Sequence, residues 1–347
     1  MTSSTMKAVV KSKPGLGAEL LNVDIPEPGE NEVLVNVKVT SICGSDLHIY
    51  KWNSWAKEHV KPPQIMGHEV AGEIVDVGKG VSSLHVGDFI SAETHIPCGY
   101  CKQCRTGNRH ICKNLNILGV DTNGTFAEYV VIPEVVAWKN DPSIPHLYAS
   151  VQEPLGNAID TVLAEDVSGK SVAIIGAGPI GMLAVGVARV SGATDIFVTD
   201  LNDYRLEIAQ KMGATVTLNP NKSDVLTEIF AVTNGDGVDV VLEMSGNEAA
   251  LIQGCQILTP GGRLSLLGVF DHPVTLELNK FIIFKGIRVY GITGRKMFST
   301  WYKAANFLKS KTLDLSPVIT HQFKLKEFEQ GFDLMQSGMC GKIVLSI

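Results

Sequence analysis

Val172-Ala-Ile-Ile-Gly-Ala-Gly-Pro-Ile-Gly181 decides the fold of the carboxyl half: a short apolar run enters Gly176, Gly178 and Gly181, with Pro179 where a helix begins. The run reads as a buried strand and the glycines as the turn that feeds a helix. The first glycine permits the tight turn, the second lets backbone N–H groups reach a pyrophosphate, and the third lets helix pack on strand. Anions are favoured at such a helix start. Asp200 ends the next apolar run, Asp195-Ile-Phe-Val-Thr-Asp200, nineteen residues beyond Gly181. Its carboxylate suits ribose hydroxyls and repels a 2′-phosphate, so NAD is expected in preference to NADP. Arg205 is a nearby group that can serve a phosphate, against which the carboxylate is expected to prevail. A membrane span over Ser171 to Val190 is the competing reading of the apolar stretch. Gly176, Gly178, Pro179, Gly181 and Gly186 fit a turn between strand and helix better.

Outward from this turn the chain alternates strand and helix: helical Tyr204 to Met212, then Val238-Asp-Val-Val-Leu-Glu243, Arg263-Leu-Ser-Leu-Leu-Gly268 and Ile287-Arg-Val-Tyr290. Such alternation predicts an α/β, doubly wound parallel sheet with helices on both faces, a Rossmann coenzyme domain. Before Gly169 the texture differs. Short β-branched runs such as Glu32-Val-Leu-Val-Asn-Val-Lys-Val39 are broken by Gly, Pro and Asn, which predicts an antiparallel β domain of loops and strands. The tail holds a helix near Trp301 to Leu308, an extended Val318-Ile-Thr-His-Gln-Phe323, a second helix and a closing strand from Lys342. It is expected to return to the first domain. The expected division is 1–158 for the first domain, 159–296 for the coenzyme domain and 297–347 for the return.

A chain of 347 residues is too long for one small core. Hydrophobic residues at 45 % and charged residues at 19 % describe a soluble globular protein rather than a disordered one. The net charge of −6 comes with no run of Lys and Arg, so no nucleic-acid partner is expected. The amino terminus, Met6-Lys-Ala-Val-Val-Lys11, offers no apolar stretch of export-signal length and reads as a first strand. Seven cysteines, four of them clustered, form no disulfide framework, and a reducing cytoplasm is the expected compartment.

The cluster is Cys98-Gly-Tyr-Cys101-Lys-Gln-Cys104, then seven residues, then Cys112. Four thiolates on one tight loop match the closed tetrahedral site of structural zinc, which keeps no open position. A redox Cys-x-x-Cys pair leaves the other two thiols unexplained. Elsewhere, Cys43 stands in Ile42-Cys-Gly-Ser-Asp-Leu-His48, His68 and Glu69 follow Gly67, and Glu153 stands in Gln152-Glu-Pro-Leu-Gly-Asn157. A lone cysteine or histidine is more often structural. Thiolate, imidazole and carboxylate together supply what an open catalytic zinc site needs.

These residues resemble the zinc-dependent medium-chain alcohol dehydrogenases over essentially the whole chain. The resemblance implies a GroES-like, mainly antiparallel catalytic domain and two zinc ions per subunit. Cys43, His68 and Glu69 would bind the catalytic ion, and Cys98, Cys101, Cys104 and Cys112 the structural one. Glu153 would assist or ligate intermittently, while Ser45 and His48 would relay the proton from the substrate hydroxyl to solvent. Ile180, Leu267-Gly268-Val269 and Ile292-Thr293 would join the glycine turn in holding NAD. His95 is expected to line the substrate pocket. Within the family, the strings Ile42 to Trp52, Cys104 to Cys112, Gly294 to Tyr302 and Leu315 to His321 imply L-threonine as substrate and 2-amino-3-oxobutanoate as product. Ser45 departs from the Thr more usual in such members, and either hydroxyl passes a proton. The resemblance also implies a homotetramer. The alternatives are a polyol or 2,3-butanediol dehydrogenase of the same fold, and a module that binds NAD and zinc without catalysis.

Overall fold

A computed structural model of the protein describes residues 4–347; residues 1–3, which open the expected first domain, lie outside it. The chain divides into two compact units. The first holds the chain up to Glu153 with Lys296–Lys309 and Ile319–Ile347, and the second holds Pro154–Arg295 with Ser310–Val318. Assignment of Ser310–Val318 to the second unit departs from the expected return of the whole tail. The reason is burial: Leu313, Leu315 and Val318 are nearly inaccessible, and the Leu313 side chain packs over Gly186, where a Cβ would meet it at 2.7 Å.

In the first unit the central sheet runs in the order Ala137–Lys139, Phe89–Ala92, Glu69–Val77, Glu32–Ile42, Lys342–Ser346 and Ile319–Lys324, with Tyr129–Pro133 also on Glu32–Ile42. All pairs are antiparallel except Ile319–Lys324 with Lys342–Ser346, which run parallel. Val33, Val35, Val37, Val70, Ile74, Ile90 and Ile132 build one core, and Ile42, Ile49, Met66, Phe126, Phe332 and Ile343 another. The expectation of loops and strands alone needs correction, because helices cover Gly44–Lys51, Ser54–His59, Lys102–Arg105 and His146–Ala149. The first of these escaped the sequence pattern because its buried positions are Asp46 and Ile49. A carboxylate on the inward face erases the apolar period that announces a helix.

The second unit is a parallel six-stranded sheet in the order Val216–Leu218, Ile196–Thr199, Val172–Ile175, Val238–Glu243, Leu258–Leu266 and Arg288–Gly291. Val172–Ile175 and Ile196–Thr199 are buried at every position, as strands covered on both faces must be. Helices connect them, and three of these begin where a side chain accepts from orphan backbone N–H groups: Asn202 from Tyr204 and Arg205, Asp224 from Leu226 and Thr227, Asn247 from Ala250. Phe197, Val241, Leu251, Ile257 and Leu264 fill the core. Among the described residues no helix is long and apolar enough to cross a membrane.

Candidate active site

The four-cysteine loop lies between two short paired strands, His95–Ile96 and Asn116–Ile117, and Cys101 starts the small helix Lys102–Arg105. The sulfurs of Cys101 and Cys104 are 3.5 Å apart, Cys101 and Cys112 3.7 Å, and Cys98 and Cys112 3.5 Å. A disulfide needs about 2.05 Å, whereas sulfurs at the corners of a tetrahedron with a zinc–sulfur distance of about 2.3 Å stand roughly 3.8 Å apart. The loop fits the metal. Backbone N–H groups of Cys98 and Asn114 point at the Cys112 sulfur, each at 3.3 Å, and spread thiolate charge. The backbone N–H of Cys104 holds the Cys101 thiol down to about 6, while burial pushes Cys104 up to about 12. Four sulfurs so close ionise together only around a cation.

Cys43 follows the strand Glu32–Ile42 and caps the start of the helix Gly44–Lys51, and His68 precedes the strand Glu69–Val77. Strand register places Ser41 opposite Glu69, which brings the two segments together. Gly67 turns the chain at φ +88°, and a Cβ there would lie 2.1 Å from the Phe126 ring. Ligand atoms of Cys43, His68 and Glu69 all come within 4.8 Å of one another. A soft sulfur, a ring nitrogen and a carboxylate oxygen so gathered form a donor set suited to zinc.

Buried Asp46 braces this site. Its carboxylate accepts from Cys43 N at 2.9 Å and Gly67 N at 3.2 Å, and stands 3.8 Å from His68 Nδ1. Burial raises Asp46 above the ordinary carboxylate range. For His68, burial opposes the charged ring, but Asp46, then Cys43 and Glu153, outweigh it and lift the imidazole to about 10. A cation among the ligands competes with that proton. Glu69, fully buried and raised by that burial, is engaged at both oxygens: Lys342 Nζ donates to one at 2.5 Å and Ser41 Oγ to the other. Lys342, itself buried, also donates to the Ile42 carbonyl at 2.9 Å. Glu153 is buried, accepts from Thr94 Oγ1 at 2.9 Å, and is close enough to shift both His68 and Glu69.

Ser45 and His48 share the helix that Cys43 starts; Ser45 is half-buried and His48 is exposed, with its Nδ1 2.8 Å from the Asn53 amide. His95 is half-buried and its Nδ1 lies 2.8 Å from Glu93, whose other oxygen accepts from Trp301 Nε1 at 2.7 Å.

In the second unit Gly176 takes φ +100°, and a Cβ at Gly181 would lie 2.0 Å from the Gly176 carbonyl. Glycine at both is therefore a condition of the turn. A Cβ at Gly178 would meet nothing within 4 Å, so an open face lies beside the start of the helix Pro179–Val190. Gly178 caps that helix without a side chain, which leaves its first N–H groups available to an anion. Asp200 directly follows the neighbouring strand Ile196–Thr199 and accepts from Ala177 N at 2.7 Å and Asn202 N at 2.9 Å. Nε of Arg205 is buried with no hydrogen-bond partner. Ile180 is half-buried in the first turn of the helix. Leu267 and Gly268 donate backbone N–H groups to the Glu243 carbonyl, Val269 is 89 % exposed, and Ile292 follows the last strand with exposed Thr293. Pyrophosphate turn, open glycine face and strand-end positions together fit a dinucleotide.

Asp46, Lys342, Glu93, Thr94 and Trp301 are the residues that sequence reasoning missed. Lys342 reads in sequence as the polar start of a strand, and nothing in the spacing of these five ties them to the ligands.

The sequence family described as alcohol dehydrogenase GroES-like domain matches residues 29–142, and that described as zinc-binding dehydrogenase matches 179–310. The chain belongs to the zinc-dependent medium-chain dehydrogenases. It is 54 % identical over 346 residues to an L-threonine 3-dehydrogenase of Pyrococcus horikoshii, covering 99 % of each chain. It is 50 % identical over 345 residues to an L-threonine 3-dehydrogenase of Bacillus subtilis, again covering 99 % of each. A crystal structure of a zinc-binding dehydrogenase from Sinorhizobium meliloti bound to NADP superposes with a TM-score of 0.91 at 30 % identity, over 99 % of this chain and 100 % of that one.

Proposed function

We propose that the protein oxidises the 3-hydroxyl of L-threonine with NAD, giving 2-amino-3-oxobutanoate, NADH and a proton. The observation that carries this is likeness along the full length to relatives named for that reaction, joined to the convergence of Cys43, His68 and Glu69. Cys43, His68 and Glu69 would hold a catalytic zinc, and Cys98, Cys101, Cys104 and Cys112 a second, structural one. When bound, zinc polarises a hydroxyl as a Lewis acid, and the nicotinamide takes up a hydride.

The chain's own residues do the rest. Asp46 orients the loop of His68 and the amide of Cys43, so the donors keep their places when substrate exchanges. Lys342 neutralises the Glu69 carboxylate, which lowers the negative charge that would otherwise resist deprotonation of the substrate. The hydride leaves C3 of threonine with its electron pair, and the hydroxyl proton leaves separately. Ser45 and exposed His48 pass that proton to water, with Glu153, held by Thr94, as the assisting carboxylate. Gly176, Gly178, Pro179, Ile180 and Gly181 form the pyrophosphate turn, with Leu267, Gly268, Val269, Ile292 and Thr293 toward the nicotinamide. Asp200 would favour NAD over NADP by repelling a 2′-phosphate, prevailing over Arg205, the nearby group that could serve one. His95, oriented by Glu93, lines the substrate pocket in this reading.

The protein works as a homotetramer in this reading. Arg288–Gly291 is an edge strand of its sheet, with Val289, Leu278, Ile283 and Phe284 exposed, the latter at 82 %, which favours self-association. Among the described residues none of its seven cysteines is joined in a disulfide, which favours the cytoplasm.

The test is formation of reduced cofactor from L-threonine, sorbitol and 2,3-butanediol, each offered with NAD and with NADP. The expected outcome is the highest kcat/KM for L-threonine with NAD. A higher value for the diol or the polyol replaces the substrate, and a higher value with NADP removes the role given to Asp200.

A further inference from the structure

The helix that carries Ser45 and His48 ends in an unusual way. Its cap, Trp52, sits in the left-handed region at φ 55° and ψ 47°, where a bulky residue is disfavoured. The Trp52 ring is held under buried Lys11, whose Nζ lies 5.2 Å from the ring centroid and donates to the Gly15 carbonyl and, at 2.7 Å, to that of Gly17. This reversal swings the next residue, Asn53, back over the helix it has just left. Asn53 N donates to the His48 carbonyl at 3.3 Å, and the side-chain amide of Asn53 reaches His48 Nδ1 at 2.8 Å.

Which end of that amide faces the imidazole is settled by a second contact. Asn53 is also the cap of the following helix, Ser54–His59, and its Oδ1 accepts the Ala56 backbone N–H at 3.0 Å. Exchanging oxygen and nitrogen would set an NH2 against that N–H, donor against donor, so the backbone fixes the amide with its NH2 toward His48. A nitrogen that accepts an amide hydrogen carries no proton of its own. The hydrogen of the neutral ring therefore sits on Nε2.

We propose that Asn53 is a positioning residue that locks His48 as the Nε2–H tautomer. The kinetic side of the inference rests on the reading of His48 as a relay group. An imidazole passes a proton across its ring only when one nitrogen accepts as the other releases, and an amide hydrogen on Nδ1 is not one that transfers. A ring so held donates through Nε2 and accepts at Nδ1 only after the amide has moved aside. Asn53 thus gates proton uptake by the relay, and the Lys11–Trp52 contact supports the gate.

Asn53→Asp is the discriminating variant. One carboxylate oxygen keeps the Ala56 cap, while the other turns Nδ1 into a donor and leaves Nε2 bare as an acceptor. Neutron diffraction of the deuterated enzyme, with the ring neutral and no substrate present, reads the tautomer directly. The expected result is a deuteron on Nε2 of His48 in the parent and on Nδ1 in Asn53→Asp. A deuteron on Nδ1 in the parent, or the same site in both, overturns the inference. In turnover, Asn53→Asp is expected to change kcat and its solvent deuterium isotope effect while KM for L-threonine stays unchanged. An unaltered kcat and isotope effect overturn the gate. His48→Ala separates the two levels: undiminished turnover in that variant refutes the relay itself, while the deuteron positions still decide the tautomer.

Discussion

Replacing Lys342 by Met tests the arrangement beneath Cys43, His68 and Glu69. In the parent, Lys342 Nζ lies 2.5 Å from Glu69 and 2.9 Å from the Ile42 carbonyl, with the Lys and Glu side chains 2 % and 0 % exposed. Met keeps most of the stem volume, so little cavity is left, and the change isolates the charge. Glu69 would then be a buried carboxylate with the Ser41 hydroxyl as its remaining partner from this pair of contacts. Removing one member of a buried ion pair costs about 3–5 kcal/mol, because the other charge stays desolvated. At about 2–4 °C per kcal/mol for a unit of this size, the expected fall in Tm is roughly 6–20 °C. A cation bound by Cys43, His68 and Glu69 offsets part of the loss, so the fall should be smaller in zinc-loaded than in zinc-stripped protein. Glu69→Gln in the same chain should recover much of the stability, since a neutral amide needs no counter-charge. Calorimetry of parent, Lys342→Met and the double variant, each with and without zinc, reads all three effects. A Tm for Lys342→Met within the error of the parent in stripped protein would refute the claim that Glu69 depends on Lys342.

Two further perturbations address other parts of the molecule. Cys104→Ser should lower bound zinc by about one equivalent per protomer, measured by elemental analysis, and open the loop from Cys98 to Cys112 to protease; unchanged zinc content would contradict the structural site. Glu165 is held down to about 2 from its ordinary 4.5 by hydrogen bonds from Arg288 and Tyr290. A depressed carboxylate stabilises the fold above its unfolded value and loses that contribution as pH falls through the folded one. Glu165→Gln should therefore flatten the acid limb of Tm against pH between 4.5 and about 2. The effect should shrink with added salt because Arg288 is half exposed; an acid limb as steep as the parent's would refute it.

Much of the nucleotide half is legible in the chain because its signals are local. Gly176 takes φ +100°, a Cβ at Gly181 would lie 2.0 Å from the Gly176 carbonyl, and both of these demands act within a few residues. The four cysteines likewise lie within fifteen positions, so spacing alone confines them to one loop. Helix Gly44–Lys51 was not legible, since buried Asp46 sits where the apolar pattern needed a hydrophobic residue. The place of Ser310–Val318 was not legible either, because burial of Leu313 and Leu315 depends on surfaces that the segment does not itself encode.

Covalent spacing and backbone sterics need only neighbours along the chain, so the glycine turn, the single four-cysteine loop and the alternation that demands a parallel sheet are written locally. Tertiary structure alone decided that Lys342 meets Glu69 across 273 positions and that Trp301 meets Glu93 across 208. Those pairings arise from strand register and shared burial, where a charge or an indole N–H removed from water must find whatever partner the fold has carried to it.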